Sequence, residues 1–262
     1  MKSSTFISLL FHRTYEDFYR MAENSECFHQ YCQCAFGADF SQDGFSDLSQ
    51  IELILRQIPR TGCPHLLDIG CGNGRMLKYL QQQTGAHISG FDYSKTAIAS
   101  ARADHTANAD FRTGTIGKIK YPPQSFDFVI SMDSIYFAGD QTAFLAQVRT
   151  WMKDDGALLI GYQEGDIMPK TANVETTVVA QALRKNNFVY EVENLTTACY
   201  EMLKRKRECI LRFDKDFQNE GLERWFSIIL NQTNCAACSL EEFQKNNARY
   251  LFTARKAECN IT

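Results

Sequence analysis

The stretch Leu66-Leu67-Asp68-Ile69-Gly70-Cys71-Gly72-Asn73-Gly74 constrains this chain more than any other. It reads as a buried strand that ends beside an acid, followed by a glycine-rich turn that opens a helix. Glycines let a backbone reverse sharply and come close to a ligand. Asp92 ends the next strand, 92 − 72 = 20 positions beyond Gly72. An acid at that spacing can accept the ribose hydroxyl protons of a nucleoside. A plain strand-to-helix turn would not need the second acid.

The surrounding chain alternates strand and helix from 63 to 162. Strands are expected at His65–Ile69, His87–Asp92, Ala109–Thr113, Phe126–Met132 and Ala157–Gln163. Helices are expected at Gly74–Gln83, Ser94–Ala103 and Gln141–Met152. That alternation specifies a parallel sheet with helices on both faces. A helix at Thr177–Asn186 and a strand at Phe188–Val192 follow. A long helical insertion comes next, roughly 195–231, and Tyr250–Arg255 forms the last strand. Before the sheet, helical spacing covers Thr5–Met21, Glu26–Phe36 and Leu48–Ile58, the last with Asp47 as N-cap. The expected organisation is a helical N-terminal cap (1–62) and an α/β nucleoside-binding domain (63–262). That domain carries a helical lid insertion at about 195–248.

The turn narrows the ligand. A dinucleotide fingerprint would place a third glycine where this chain has Arg75. Asp68 stands two residues before Gly70, where a carboxylate repels a pyrophosphate and suits an ammonium group. S-adenosylmethionine carries an amino-acid end and a ribose but no phosphate. Residues 63–163 thus resemble the class I S-adenosylmethionine-dependent methyltransferases: LLDIGCGNG at 66–74, Phe91-Asp92-Tyr93-Ser94, the 126–134 segment and the 152–158 turn each match a family motif. The resemblance implies a Rossmann-like, seven-stranded sheet with an antiparallel last strand. It implies that Asp68 holds the methionine ammonium, directly or through water, and that Gly70 and Gly72 let the backbone pass. Asp92 would bind the ribose, and Tyr93 would lie near the adenine. Thr115 stands where the family often has an acid for the adenine amine, with Ile116 offering backbone contacts. Ser131 and Met132 would line the methionine moiety.

A shorter segment, Tyr31-x4-Phe36-Gly37-x2-Phe40-Ser41-x2-Gly44, is similar to the cap of phosphoethanolamine methyltransferases and related small-molecule enzymes. That resemblance implies that Tyr31, Gln42 and Gly44 face the site. A surface loop joining two helices is the alternative. Where the family often has a histidine after strand 4, this chain has Phe137, and none of its five histidines falls at a motif position. No catalytic residue is assigned; the candidates, all for contact with the acceptor, are Tyr31, Tyr136 and Glu164. Neither the acceptor nor the atom methylated can be read from these residues. An NAD(P)-dependent oxidoreductase on the same architecture and a non-catalytic nucleoside-binding module remain as alternatives.

Composition sets the remaining bounds. With 28 basic and 31 acidic residues, a net charge of −3 argues against a nucleic-acid binder. The motif Asn/Asp-Pro-Pro-aromatic of base-methylating enzymes is absent after strand 4. No apolar run reaches the ~18 residues of a membrane span. The apolar run Phe6–Phe11 is followed at once by charged residues, so it reads as a helix start rather than a secretory signal. The 10 cysteines are scattered and are expected as reduced thiols in a cytoplasmic protein. Cys235-Ala-Ala-Cys238 lacks partner ligands for zinc, and no metal is expected. The apolar stripe Leu222, Trp225, Phe226, Ile229 and Leu230 reads as packing onto the sheet domain, with a pocket wall as the alternative. The basic run Lys204–Arg207 reads as a solvated helix face, with contact to an anionic substrate or a membrane as the alternative.

Overall fold

The computed structural model describes residues 3–104 and 107–257. Three helices come first: α1 (Ser3–Ala22), α2 (Glu26–Phe36) and α3 (Leu48–Gln57). The alternating body follows as β1 (His65–Ile69), α4 (Arg75–Thr84), β2 (His87–Asp92), α5 (Lys95–Asp104) and β3 (Ala109–Thr113). It continues as β4 (Phe126–Met132), α6 (Gln141–Trp151), β5 (Met152–Glu164), α7 (Val178–Lys185) and β6 (Phe188–Asn194). Four helices then lead to the last strand: α8 (Thr196–Arg212), α9 (Asp214–Asn219), α10 (Glu223–Gln232) and α11 (Leu240–Asn246), then β7 (Ala248–Lys256).

Local chemistry explains where the early helices begin and end. Ser25 caps α2 by accepting the Phe28 amide at 3.0 Å, and Gly37 ends it in the left-handed region at φ 77°. Asp47 caps α3 through the Gln50 amide at 3.2 Å, as its sequence position predicts. Asp140 does the same for α6 through Ala143 at 3.0 Å.

The seven strands form one sheet in the order β3-β2-β1-β4-β5-β7-β6. β7 runs antiparallel to both β5 and β6, and the β1–β4 and β1–β2 pairings are parallel. This is the Rossmann-like α/β sheet expected from the motifs. The chain reverses its direction of winding between β1 and β4, and that switch opens a crevice at the carboxyl ends of the strands. β5 differs from expectation by starting at Met152, which pairs with Phe126. The ladder then shifts register between Phe126 and Phe128, so the expected turn at 152–158 is strand with an irregularity.

Three apolar clusters hold the molecule together. One face of the sheet packs Leu67, Val129, Leu145, Trp151 and Ile160 with α6 and α7. The other packs Leu66, Leu77, Ile98, Ile130 and Leu159 with α4 and α5, and α3 joins it through Ile51 and Ile54. The third contains no strand. It gathers Phe18 of α1, Phe28 and Tyr31 of α2, Leu203 and Ile210 of α8, and Trp225 and Ile229 of α10. The α10 stripe therefore packs onto the N-terminal helices, with Trp225 5.7 Å from Phe18 between ring centroids, rather than onto the sheet domain.

The basic run on α8 is solvated only in part: Lys204 is exposed, while the other three are tied down. Lys206 is buried and bonds Asp43 and Gln232. Arg205 bonds the Ala35 carbonyl and Asp47, and Arg207 bonds Thr233 and Asn234. Arg205 and Lys206 fasten the insertion to α2 and to the loop before α3, while Arg207 ties the insertion to itself. The expectation of reduced thiols fails at one place, because Cys34 of α2 and Cys209 of α8 form a disulfide across the same helical layer. Seven other described cysteines are free, and Cys259 lies outside the described residues. Cys235 and Cys238 are separate thiols, each pointing at a backbone carbonyl. No group able to hold a metal occurs among the described residues, and no described helix is long and apolar enough to cross a membrane.

Candidate active site

A cavity of about 530 Å3 opens at the β1–β4 switch, within the size range of small-molecule sites. Its floor is the turn after β1. Gly70, Gly72 and Gly74 all have positive φ, at 75°, 55° and 76°. At Gly70 the space is as restrictive as the angle, since a Cβ there would lie 2.6 Å from the Ser134 Cβ. The Gly70 and Cys71 amides bond the Phe91 carbonyl at 2.9 and 3.1 Å, which sets the turn against β2.

Two carboxylates face this floor. Asp68 is the penultimate residue of β1 and is 3% exposed. Burial and the neighbouring Asp92 charge push its pKa up to about 8, against one amide bond that lowers it. Asp92 ends β2 and accepts the Gly72 amide at 3.1 Å and the Ser94 amide at 2.8 Å. Burial still pushes its pKa up to about 6. The largest influences on both shifts are burial, neighbouring acids and backbone amides rather than a cation. Two acids held near each other without an ion-pair partner among the described residues form a site prepared for a positively charged ligand.

The remaining cofactor candidates divide between the cavity wall and the layer behind it. Tyr93, Thr115, Ile116 and Met132 line the cavity, and so do Gln42 and Gly44 of the loop before α3. Gln42 donates to the Ser46 carbonyl, and the Gly44 Cα lies so near Asp133 that a Cβ would sit 3.1 Å from its Oδ2. Ser131 does not reach the cavity. It is fully buried and shares a hydrogen bond of 2.8 Å with Ser134, which in turn donates to the Ile69 carbonyl.

Of the three acceptor-contact candidates, only Tyr136 lines the cavity. Its hydroxyl donates to Asp133 at 3.1 Å and accepts the Gln163 amide at 2.9 Å. Burial and the Asp133 charge raise its pKa far above the ordinary value, so the phenol stays protonated. Tyr31 is buried in the helical layer instead, with Phe28, Phe36 and Phe217 rings 5.9 to 6.2 Å away. It occupies the inner face of α2, where apolar burial outweighs any role at the site. Glu164 is fully buried beyond the cavity wall and accepts the Thr171 amide and hydroxyl at 3.0 and 2.9 Å. The loop after β5 thus uses this acid to close on itself.

Three lining residues come from α1, which the sequence marks only as a helix. Tyr15, Phe18 and Tyr19 line the cavity. Their placement depends on Glu16, which accepts the Lys95 amide at 2.6 Å and the Ser94 hydroxyl at 3.1 Å, over the first turn of α5. Glu23 accepts from Asn73 of the floor at 2.6 Å. Arg75, in the place of a third glycine, pairs with Asp39 of the loop before α3.

Asp133 was also missed. It follows β4 with φ at 56°, lines the cavity, and accepts from Phe45, Ser46, Tyr136 and Arg249. Its signal in the sequence was only its place at the end of a strand beside the switch.

Residues 67–160 match the family model described as a methyltransferase domain. A ubiquinone biosynthesis O-methyltransferase of Rhodopseudomonas palustris is 38% identical over 98 residues, covering 36% of this chain and 38% of that protein. Phosphoethanolamine N-methyltransferase 2 of Caenorhabditis elegans is 25% identical over 206 residues, covering 72% of this chain and 47% of that protein. The chain therefore spans less than half the length of these relatives. Among solved structures, Haemonchus contortus phosphoethanolamine N-methyltransferase 2, in complex with phosphomonomethylethanolamine and S-adenosylhomocysteine, superposes with a TM-score of 0.73. It is 21% identical, with 87% of this chain and 57% of that chain covered, a likeness of fold.

Proposed function

We propose that residues 67–160, which match the model of a methyltransferase domain, work as a class I S-adenosylmethionine-dependent methyltransferase and that this chain transfers a methyl group to a small-molecule acceptor. The observation that carries the reading is the pair Asp68 and Asp92, buried, facing the cavity, with no ion-pair partner among the described residues. S-adenosylmethionine supplies a methyl group activated by its sulfonium charge. Asp68 then holds the ammonium and Asp92 the ribose hydroxyls, with Tyr93, Thr115 and Ile116 around the adenine and Met132, Gln42 and Gly44 around the methionine chain. Ser131 acts only through Ser134. The turn at Gly70 and Gly72 lets the backbone lie against the ligand without a side chain between them.

The chain contributes alignment and exclusion of water. Tyr15, Phe18 and Tyr19 roof the cavity from α1, and Tyr136 orients the acceptor side. We assign residues 1–62 and the insertion at 195–248 to one cover over the catalytic domain, on the ground that α1, α2 and α8–α11 share an apolar cluster. Nucleic acid is not the acceptor in this reading, since the cavity lining carries no lysine, arginine or histidine among the described residues. A cytoplasmic location is supported by the seven free thiols, while the Cys34–Cys209 disulfide is the observation against it.

A thermal-shift series with S-adenosylhomocysteine and NAD+ tests the cofactor, and transfer of a labelled methyl group to a metabolite panel tests the reaction. Stabilisation by S-adenosylhomocysteine alone supports the proposal. Stabilisation by NAD+ alone contradicts it.

A further inference from the structure

The two sides of the switch differ in charge. Asp68 and Asp92, near the ends of β1 and β2, lie on the side assigned to the cofactor. On the other side, at and after the ends of β4 and β5, the cavity is lined by Asp133, Tyr136, Phe137 and Ile167. Asp43 of the loop before α3 and Tyr15 of α1 line the same cavity.

Both acids outside the cofactor side are already committed. Asp43 accepts from the buried Lys206 ammonium at Oδ1, 3.2 Å away, and from the Gln232 amide at Oδ2, 2.8 Å away. Asp133 pairs through both oxygens with the buried Arg249 and also accepts from Tyr136, Ser46 and the Phe45 amide. Each carboxylate is balanced by one cation that does not itself line the cavity. No lysine, arginine or histidine lines it among the described residues, and Asp166, next to Ile167, is exposed and does not line it. An anionic acceptor therefore meets no counter-charge, and a cationic one meets no unpaired carboxylate. Either would shed water without replacement, a cost that a neutral molecule avoids.

What this end presents instead is apolar surface. Five large apolar side chains are exposed among the described residues, and two of them, Phe137 at 39% and Ile167 at 41%, line this one cavity. Side chains that both line a cavity and meet solvent stand at its opening. Phe137 lies in the short turn after β4 and Ile167 in the loop after β5, so two neighbouring strands of the sheet deliver them. The Tyr15 and Tyr136 rings pack edge-on against Phe137, with centroids 6.2 and 6.3 Å away. Scattered exposed apolar residues are ordinary, whereas a pair at the opening of one site is apolar surface that a ligand can take out of water.

We infer that the methyl acceptor is a neutral molecule whose apolar body seats against Phe137, Ile167 and the rings of Tyr15 and Tyr136. This inference rests on the methyltransferase reading. The reacting group is then a hydroxyl or a weakly basic N–H. Its lone pair forms the bond to the methyl carbon as the S–C bond breaks, with that electron pair staying on sulfur, and its proton leaves to water. Sulfonium and neutral acceptor become thioether, neutral methylated product and one proton.

Titration of the complete chain loaded with S-adenosylhomocysteine, at neutral pH, tests this without turnover. Indole, indoleacetate and tryptamine share one ring system and are neutral, anionic and cationic. The expected result is saturable binding of indole, at least about ten-fold tighter than either charged probe. Phe137→Ser and Ile167→Ser, both at exposed positions, should each weaken indole by at least about three-fold, and by more than they weaken S-adenosylhomocysteine. Either charged probe binding as tightly as indole overturns the inference. So does the absence of saturable indole binding, or indole affinity that neither substitution lowers. In these cases S-adenosylhomocysteine still binds and the methyltransferase reading stands. Failure of S-adenosylhomocysteine itself to bind overturns the reading, and the inference falls with it.

Discussion

Arg249 of β7 and Asp133 at the end of β4 are 116 residues apart in sequence and form one buried ion pair that joins three parts of the molecule. The Arg249 guanidinium also donates to Gln50 Oε1 at 3.0 Å and to the Ser46 hydroxyl at 2.7 Å. Asp133 accepts from the Phe45 amide at 3.1 Å and the Ser46 hydroxyl at 2.8 Å. The loop over the site is therefore fastened to the last strand of the sheet.

Arg249→Met removes one partner and leaves the Asp133 carboxylate with only neutral donors. Breaking a buried pair in this way costs about 3–5 kcal/mol. Urea denaturation should show that loss, and Arg249→Lys, which keeps the charge but not the fork, should lose less. Equal stability of Arg249→Met and the parent would mean that the pair does not hold the loop.

Gly70→Ala and Gly62→Ala separate close approach from backbone angle. Both glycines have positive φ, at 75° and 84°, but only at Gly70 would a Cβ meet another residue, Ser134 at 2.6 Å. Gly62→Ala should cost roughly 1–2 kcal/mol from the left-handed backbone alone. Gly70→Ala should cost more and should also abolish cofactor binding. Similar melting curves for the two variants would contradict the tight turn.

Much of this was readable beforehand because it is local. The strand alternation, the Asp47 cap and the acid–glycine turn each lie within a few residues. The pairs that build the cover are not local. Lys206 with Asp43, Cys34 with Cys209 and Glu16 with the start of α5 join segments 79 to 175 residues apart, and no periodicity announces them. Tyr31 and Glu164 have the right chemistry for a site, and only packing shows that one belongs to an aromatic core and the other to a loop closure.

Glu16→Ala tests the roof. It removes the acceptor for the Ser94 hydroxyl and the Lys95 amide, a capping loss of about 0.5–2 kcal/mol. Because Tyr15 and Tyr19 flank Glu16 on α1, affinity for S-adenosylhomocysteine should fall several-fold, and limited proteolysis should cut α1 sooner. Unchanged affinity would show that α1 does not close the cavity.

Asp68 should make the ligand-free protein sensitive to pH. Its pKa is raised on folding from 3.8 to about 8. Such a group contributes stability that is complete below about pH 4 and lost as pH rises through 8. Asp68→Asn should therefore melt at a higher temperature than the parent at pH 8, by at least about 2–4 °C for each kcal/mol relieved, and the difference should vanish near pH 4. An Asp68→Asn melting point below that of the parent at pH 8 would contradict a strained, buried carboxyl.

Isothermal titration of S-adenosylhomocysteine at pH 7, run in two buffers of different ionisation enthalpy, tests the central claim most directly. If Asp68 receives the ammonium group, the carboxyl with a pKa of about 8 must ionise on binding. The account predicts release of close to one proton with the parent, loss of that release in Asp68→Asn, and affinity weakened by about 1–3 kcal/mol in Asp92→Ala. Binding with no proton release, and with affinity unchanged by either substitution, would contradict it.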